Sequence, residues 1–532
     1  MSVQSREYGG RIAILAYALL VMGLLVFLRL QYVNWARNDD FIFIDWYEHL
    51  FVKQDFSFLD FLAIRDQSHP LAFQALVSSL IFAVGGVNFS NLVTVGHLFL
   101  VMGAALMALA VSARLISPLC QGLAWILLLA VYFHPVQTDF LLWAFEFGWF
   151  VINAMLALSL YCVEIKGSKA YPLAVAACLI AAFSSAHGSV LWLSTAVHIF
   201  LKRDQGSRLW GASFLIAAAV NFLILARLTP PDPTGLSLAT LPEFLLYFIQ
   251  IIGAVSGQKD PQLLLVAGGI LLSMLVLSII LQIRRHRLTP LDRMSDVAIL
   301  AALVGTALFA RGRFHFGLQW AIASFHMAPI LMPCLAGLII VSLQAFDQIK
   351  IQWGQKKPDR VANLMQYPLA TLPCLAVVLS LISSLPFARF QSGVLAQQAS
   401  IGRYFGCQEH PSRYILENSN IGEGYYDYIL TRLPWMRPLC VVTPLTSIQG
   451  LVHFPDRFEA MIRQNPAAAD PLHDAWEVYQ THFDLSRAFP PADPATPSRL
   501  LAFFRNSALT GSGYATDKMK RHQEFFLALP EQ

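Results

Sequence analysis

Apolar stretches recur along most of the chain, most of them near the roughly twenty residues that cross a ~30 Å hydrocarbon slab as a helix and two or three of them shorter. They lie at 12–30, 92–112, 119–133, 143–163, 171–186, 189–201, 209–227, 261–283, 296–310, 318–343 and 366–387. In lipid no water satisfies backbone N–H and C=O groups, so such stretches have to be helices. Charged residues make up only 13% of the 532 residues, against about 25% in soluble domains. The expected fold is an all-α polytopic membrane protein. A formal net charge of +4 over a chain this long gives no basis for a nucleic-acid partner.

Two further apolar segments, 71–87 ("LAFQALVSSLIFAVGGV") and 243–256 ("EFLLYFIQIIGAVS"), leave the span count between about 11 and 13. Charge asymmetry decides between them. With both segments kept at the interface, Arg11, Arg114, Lys166, Lys169, Lys202, Arg203, Arg208, Arg284, Arg285, Arg287, Lys356, Lys357 and Arg360 fall on one side. By the positive-inside rule that side is the cytoplasm, which places the N-terminus inside and gives about eleven spans. The first run is too long for a signal-peptide core and lacks a clear small-residue cleavage site, so it reads as a retained anchor.

The expected organisation is a transmembrane domain over 1–387, with a first exterior loop at 31–91 that holds juxtamembrane helices. Residues 388–532 return to ordinary polarity, with the Pro-rich stretch "FPPADPATPS", and read as a small soluble α or α/β domain on the exterior. Cys120, Cys162, Cys178, Cys334 and Cys374 lie in or beside apolar runs and should pack as small hydrophobes. Cys407 and Cys440 are the pair in the tail, and can join as a disulfide if the tail faces an oxidising compartment.

This orientation collects the unusual polar residues on one face. The loop "NWARNDDFIFIDWYEHLF" holds Asp39, Asp40, Asp45, Glu48 and His49 beside the first span. A carboxylate near a low-dielectric slab gains basicity, which suits a general base or a metal ligand; a solvated acidic loop is the plainer reading. In "RDQSHPLAF", Pro70 can open a helix with Ser68 or His69 near its N-terminus, where a phosphate is readily accepted. Asp139 and Glu146 stand seven positions apart, on one face if a single helix runs through both. Glu146 is an intramembrane acid, and His187 lies at a tight turn between two spans. "RGRFHFG" supplies Arg311, Arg313 and His315, and two arginines so spaced can clamp a phosphate or snorkel to the interface.

The order of these loops resembles the GT-C class of integral-membrane glycosyltransferases, which includes protein mannosyltransferases and bacterial aminoarabinose transferases. The likeness covers about residues 10–390 and rests on organisation: "NDDF" in the first exterior loop, "SHPLAFQALVSSLIFAVGG", "SARLISP", and Asp139 in "HPVQTDFLLW". "WAFEFGWF", "FSSAHGSVLW" and "RGRFHFG" look like segments of bacterial envelope members of the class. The chain departs from the class in having Asp-Asp for Asp-Glu and in lacking a second proline after Pro70.

The resemblance implies transfer of a sugar from a polyprenyl-phosphate-linked donor to an envelope glycan, lipid or protein acceptor. It implies Asp39 or Asp40 as the base on the acceptor hydroxyl and Asp139 as a second acid. It also implies His69, Arg311 and Arg313 as the donor-phosphate set, with His315 beside them. If the enzyme uses a divalent cation, Asp39, Asp40 and Asp139 offer oxygen ligands suited to Mg²⁺ or Mn²⁺. The site would face the periplasm from the bacterial inner membrane and serve polysaccharide biosynthesis. Other classes compete: a lipid-linked glycan flippase or transporter, an O-antigen polymerase or ligase, and a non-catalytic scaffold or sensor. Neither the repeated halves of many transporters nor a large late exterior loop is evident in the sequence.

Overall fold

The computed structural model describes residues 3–66 apart from 33, 35 and 37, then 69–202, 207–228, 240–258, 260–283, 288–314, 328–353, 367–368, 370–389, 392 and 431–436. Regular structure in this set is helical, save for a two-stranded antiparallel ribbon in which Arg65–Asp66 pairs with His69–Pro70. Eight helical runs among the described residues are long and apolar enough to cross a membrane. The chain is an all-α polytopic membrane protein. Cys120, Cys162, Cys178 and Cys334 are buried free thiols and Cys374 is half-buried, as their apolar surroundings predict. Cys407 and Cys440, and almost all of the expected C-terminal domain, lie outside the described residues.

The chain divides into two compact units. The larger comprises Met1–Leu30, Asp55–Val77 and Leu92–Arg389; the smaller comprises Gln31–Gln54, Ser78–Asn91 and Phe390–Gln532. The predicted loop 31–91 is thus shared between the two units.

In the larger unit, an apolar 18-residue stretch of the Ala328–Ile351 run is 94% buried, against 17% for Ser207–Arg227 and 28% each for Pro261–Ile280 and Ala370–Arg389. The first is a central helix enclosed by protein, and the others present apolar faces outward. Predicted runs match peripheral helices closely: 209–227 is Ser207–Leu228 and 261–283 is Pro261–Ile283. The predicted run 318–343 is displaced, since the helix spans Ala328–Trp353. It continues through polar "QAFDQIK" because Asp347 is used. Its carboxylate accepts from the N–H groups of Ile116 (2.8 Å) and Ser117 (2.6 Å), the donors left over where the Pro118–Tyr132 helix begins.

The run Phe147–Ala182 doubles back as Phe147–Tyr161 and Tyr171–Ala182, turning at Gly167, whose φ of 69° favours glycine. The two ambiguous segments are short helices, Ala72–Gly85 and Leu241–Gly253, of 14 and 13 residues. At 1.5 Å rise per residue they reach ~20 Å, about the length of Val190–Lys202.

In the smaller unit, the acid-rich loop coils into the turn Asn38–Phe41, the helix Ile42–Tyr47 and the wider turn Glu48–Lys53. Phe41, Phe43, Ile44 and Trp46 are buried, and the Tyr47 ring meets Phe82 edge-on at 6.0 Å. Asn34 Oδ1 accepts from the Ser90 N–H at 3.1 Å, which ties the start of the loop to the helix that begins at Phe89.

Candidate functional site

Three helices of the larger unit sort their polar residues to opposite ends. Glu164, His198 and Arg293 meet at one end. Arg293 binds the Glu164 carboxylate with two nitrogens (2.7 and 3.1 Å), and His198 Nε2 lies 3.1 Å from the same group. Arg114 and Lys202 donate to the backbone carbonyls of Glu164 (2.8 Å) and Val163 (2.7 Å). Follow each chain segment the other way and the opposite end is reached at Glu146, His187 and Arg313. Glu146 to Glu164 and Arg293 to Arg313 are each about 30 Å of helix.

At that second end the aromatic rings organise the polar groups. His187 sits in the turn Ala186–Ser189 between two helices, where the sequence pattern places it. Its ring lies 4.7 Å from Trp149 and 5.8 Å from Phe309. The Arg313 guanidinium lies 5.8 Å from the centroid of that same Phe309 ring, within cation–π range. The Tyr247 hydroxyl donates to the Arg313 carbonyl at 3.4 Å, and Phe314 meets Phe244 and Tyr247 edge-on.

Two glycines allow this closeness. A Cβ on Gly188 would lie 1.8 Å from the Ala181 carbonyl oxygen, so only glycine lets the His187 turn press on the preceding helix. A Cβ on Gly148 would lie 1.8 Å from Gln74 Nε2, which donates to the Ser184 carbonyl at 2.8 Å.

Asp139 and Glu146 are both buried, but one helix does not carry them. The helix Thr138–Leu141 stops, and Glu146 stands at the N-cap position of the next, Phe147–Tyr161. The break has a local cause. His97 Nε2 donates to the Leu141 carbonyl at 2.7 Å, which takes the acceptor that a continuing helix would give to a later N–H. His134 opens the turn Pro135–Gln137, its Nδ1 accepting the Val136 N–H at 3.2 Å. Irregular backbone at such depth is tolerated where protein encloses it, and here residues 133–146 are almost wholly buried. Among the described residues, Gln137 Oε1 and Gln74 Oε1 are buried with no hydrogen-bond donor. Both offer acceptors to a hydroxyl group.

The arginine pair does not form a clamp. The Pro290–Arg313 helix continues through both residues, so their side chains leave its axis about 200° apart. Arg311 is exposed, and Arg313 turns in over Phe309. His69 does not cap a helix opened by Pro70: its backbone pairs with Asp66 in the ribbon, and the helix begins at Ala72. His315 lies outside the described residues.

In the smaller unit Asp39 lies in the turn Asn38–Phe41, and Asp40 beside it is fully buried. Asp45 accepts from Arg432 Nε at 2.6 Å, a pairing 387 positions apart in sequence. Among the described residues no three His, Cys, Asp or Glu side chains gather as a metal site.

Sequence reasoning passed over the Glu164–Arg293–His198 network and Asp347. Their signal was present, as ionisable residues at the margins of apolar runs. No family model, curated protein or solved structure matches the chain.

Proposed function

We propose that the chain is a membrane glycosyltransferase of GT-C kind, moving a sugar from a polyprenyl-phosphate-linked donor to an envelope glycan, lipid or protein. One observation carries this reading. Polar groups from two separate helix ends, His187 and Arg313, meet on the Phe309 ring with Trp149 beside His187, at the bundle end opposite Arg114, Lys202 and Arg293. The planar fork of guanidinium N–H donors matches the geometry of a phosphate. Aromatic rings beside it suit the apolar face of a sugar or prenyl chain.

In this reading the Lys/Arg-rich end faces the cytoplasm and the His187–Arg313 end faces the periplasm across a bacterial inner membrane. The eleven crossings are the eight long runs, with Phe147–Ala182 crossing twice, plus the first helix and Val190–Lys202. The tail then lies outside as a soluble domain. Asp39 or Asp40 takes the proton of the acceptor hydroxyl as its oxygen attacks the anomeric carbon. Asp139 orients that hydroxyl, and Arg313, with His69 and His315, stabilises the departing phosphate. Arg311 stays at the rim. If a divalent cation takes part, Asp39, Asp40 and Asp139 supply its oxygen ligands.

A second reading, a lipid-linked glycan transporter, draws support from the buried broken helix at 133–146, since interrupted helices mark many transport sites. The test is mass spectrometry of envelope glycans from cells that lack the protein, complemented with wild type, Asp40→Asn, Asp39→Asn or Asp139→Asn. Restoration of one sugar by wild type, and its loss in Asp139→Asn and in one or both of the other variants at equal protein level, supports transfer. Full restoration by all three variants refutes it.

A further inference from the structure

Within the smaller unit, a six-residue piece of the tail grips the acid-bearing loop. Arg432 Nε donates to Asp45 Oδ1 at 2.6 Å, with the two side chains 22% and 18% exposed, so the pair is largely withdrawn from water. Such partly desolvated, charge-assisted bonds are stronger than surface ion pairs. Three residues further on, Trp435 meets Tyr47 edge-on at 5.9 Å and 85°. Tyr47 in turn stacks on Phe51 at 6.2 Å and meets Phe82 at 6.0 Å.

The two contacts differ in chemistry and in place. Asp45 and Tyr47 are two positions apart on the helix Ile42–Tyr47, so their side chains leave its axis about 200° apart. A segment that touches both wraps the helix instead of resting on one side. That helix follows the turn Asn38–Phe41 directly, and the turn carries Asp39 and Asp40. Any rotation of the helix is passed to those carboxylates through two or three peptide links.

We infer that Arg432 is a positioning residue: through Asp45, and with Trp435 on Tyr47, it clasps the helix that sets Asp39 and Asp40. The inference rests on the proposed role of those two acids as the base of sugar transfer. The tail is then part of the working site, joined to the first exterior loop across most of the chain's length.

The experiment uses the full chain with Arg432→Asp, Arg432→Lys, Asp45→Arg, the Arg432→Asp/Asp45→Arg exchange, Asp40→Asn and Asp39→Asn. Amide hydrogen exchange over residues 38–53 reports the clasp, and the envelope-glycan readout reports transfer. Arg432→Asp and Asp45→Arg each speed exchange and lower transfer about tenfold, as small misplacements of a catalytic group do. Arg432→Lys and the charge exchange restore both to within about threefold of wild type, because each rebuilds an ion pair. Unchanged exchange in Arg432→Asp overturns the clasp. Faster exchange with full transfer, while Asp40→Asn abolishes transfer, overturns the positioning role and leaves the base assignment standing. Full transfer in Asp40→Asn and Asp39→Asn, with Arg432→Asp still speeding exchange, removes the sugar-transfer reading and with it the positioning role.

Discussion

His134 Nε2 and Ser380 Oγ lie 2.7 Å apart, joining the turn before Asp139 to a helix 246 positions away. The direction of the bond follows from its neighbours. His134 Nδ1 accepts the Val136 N–H, so the ring proton is on Nε2 and is given to Ser380, whose own hydroxyl donates to the Val255 carbonyl at 3.2 Å. A neutral imidazole in one tautomer thus holds a three-part chain of donors and acceptors. Replacing His134 with Ala strands the Val136 N–H in a buried turn, at a cost of about 1–3 kcal/mol. His134→Ala lowers the unfolding temperature in detergent, and Asn, whose side-chain oxygen can accept at the position of Nδ1, recovers part of the loss.

The Glu164–Arg293 pair predicts a different pattern. The Glu164 side chain is 1% exposed and that of Arg293 13%. Removing either one leaves the other's charge in the interior without its ion-pair partner, Glu164 keeping only the His198 contact, which costs about 3–5 kcal/mol. Arg293→Met and Glu164→Leu should each destabilise by that order. The double variant should recover most of the loss, read as a double-mutant cycle of unfolding midpoints.

Gly148 tests packing at the candidate site. A Cβ there would meet Gln74 Nε2, and overpacking of this kind costs about 1–3 kcal/mol. Gly148→Ala should lower stability, and Gln74→Ala added to it should relieve part of the clash. Equal stability of Gly148→Ala and wild type would contradict the close approach of the two helices.

One pH effect belongs to the loop after the first helix. Ser57 caps the helix Phe58–Leu62, and hydrogen bonds from its hydroxyl and then its backbone N–H hold the Asp60 carboxyl below its usual range. A carboxyl lowered on folding stabilises the cap above its unfolded value, and that contribution is lost as pH falls through the folded value. Amide protection over 57–62, taken relative to the intrinsic exchange rate at each pH, should therefore fall on acidification. Asp60→Asn should show low protection with no such pH dependence.

Where lipid surrounds a helix, the sequence signal is direct, because every outward residue has to be apolar. Pro261–Ile283 was readable for that reason. The central helix Ala328–Trp353 was misplaced because protein surrounds it, and protein accepts Gln344 and Asp347. The break between Asp139 and Glu146 hangs on His97, 44 positions before Leu141, and no local pattern announces such a bond. His187 was legible as a turn residue, yet its seat between Trp149 and Phe309 needs three helices in place. Asp45 stood out as an acid, but its partner Arg432 lies in a tail whose polarity carries no hint of the pairing.

The account depends most on the first exterior loop and the Arg313 end of the bundle opening to the same side of the membrane. Cysteines placed singly at the exposed positions Asp55, Gly312 and Lys169, in a background without native cysteines, can be labelled with a membrane-impermeant maleimide. Labelling at 55 and 312 in intact spheroplasts, with 169 reacting only after permeabilisation, is the predicted result. If 55 and 312 react from opposite sides, the two sets of polar groups cannot serve one reaction.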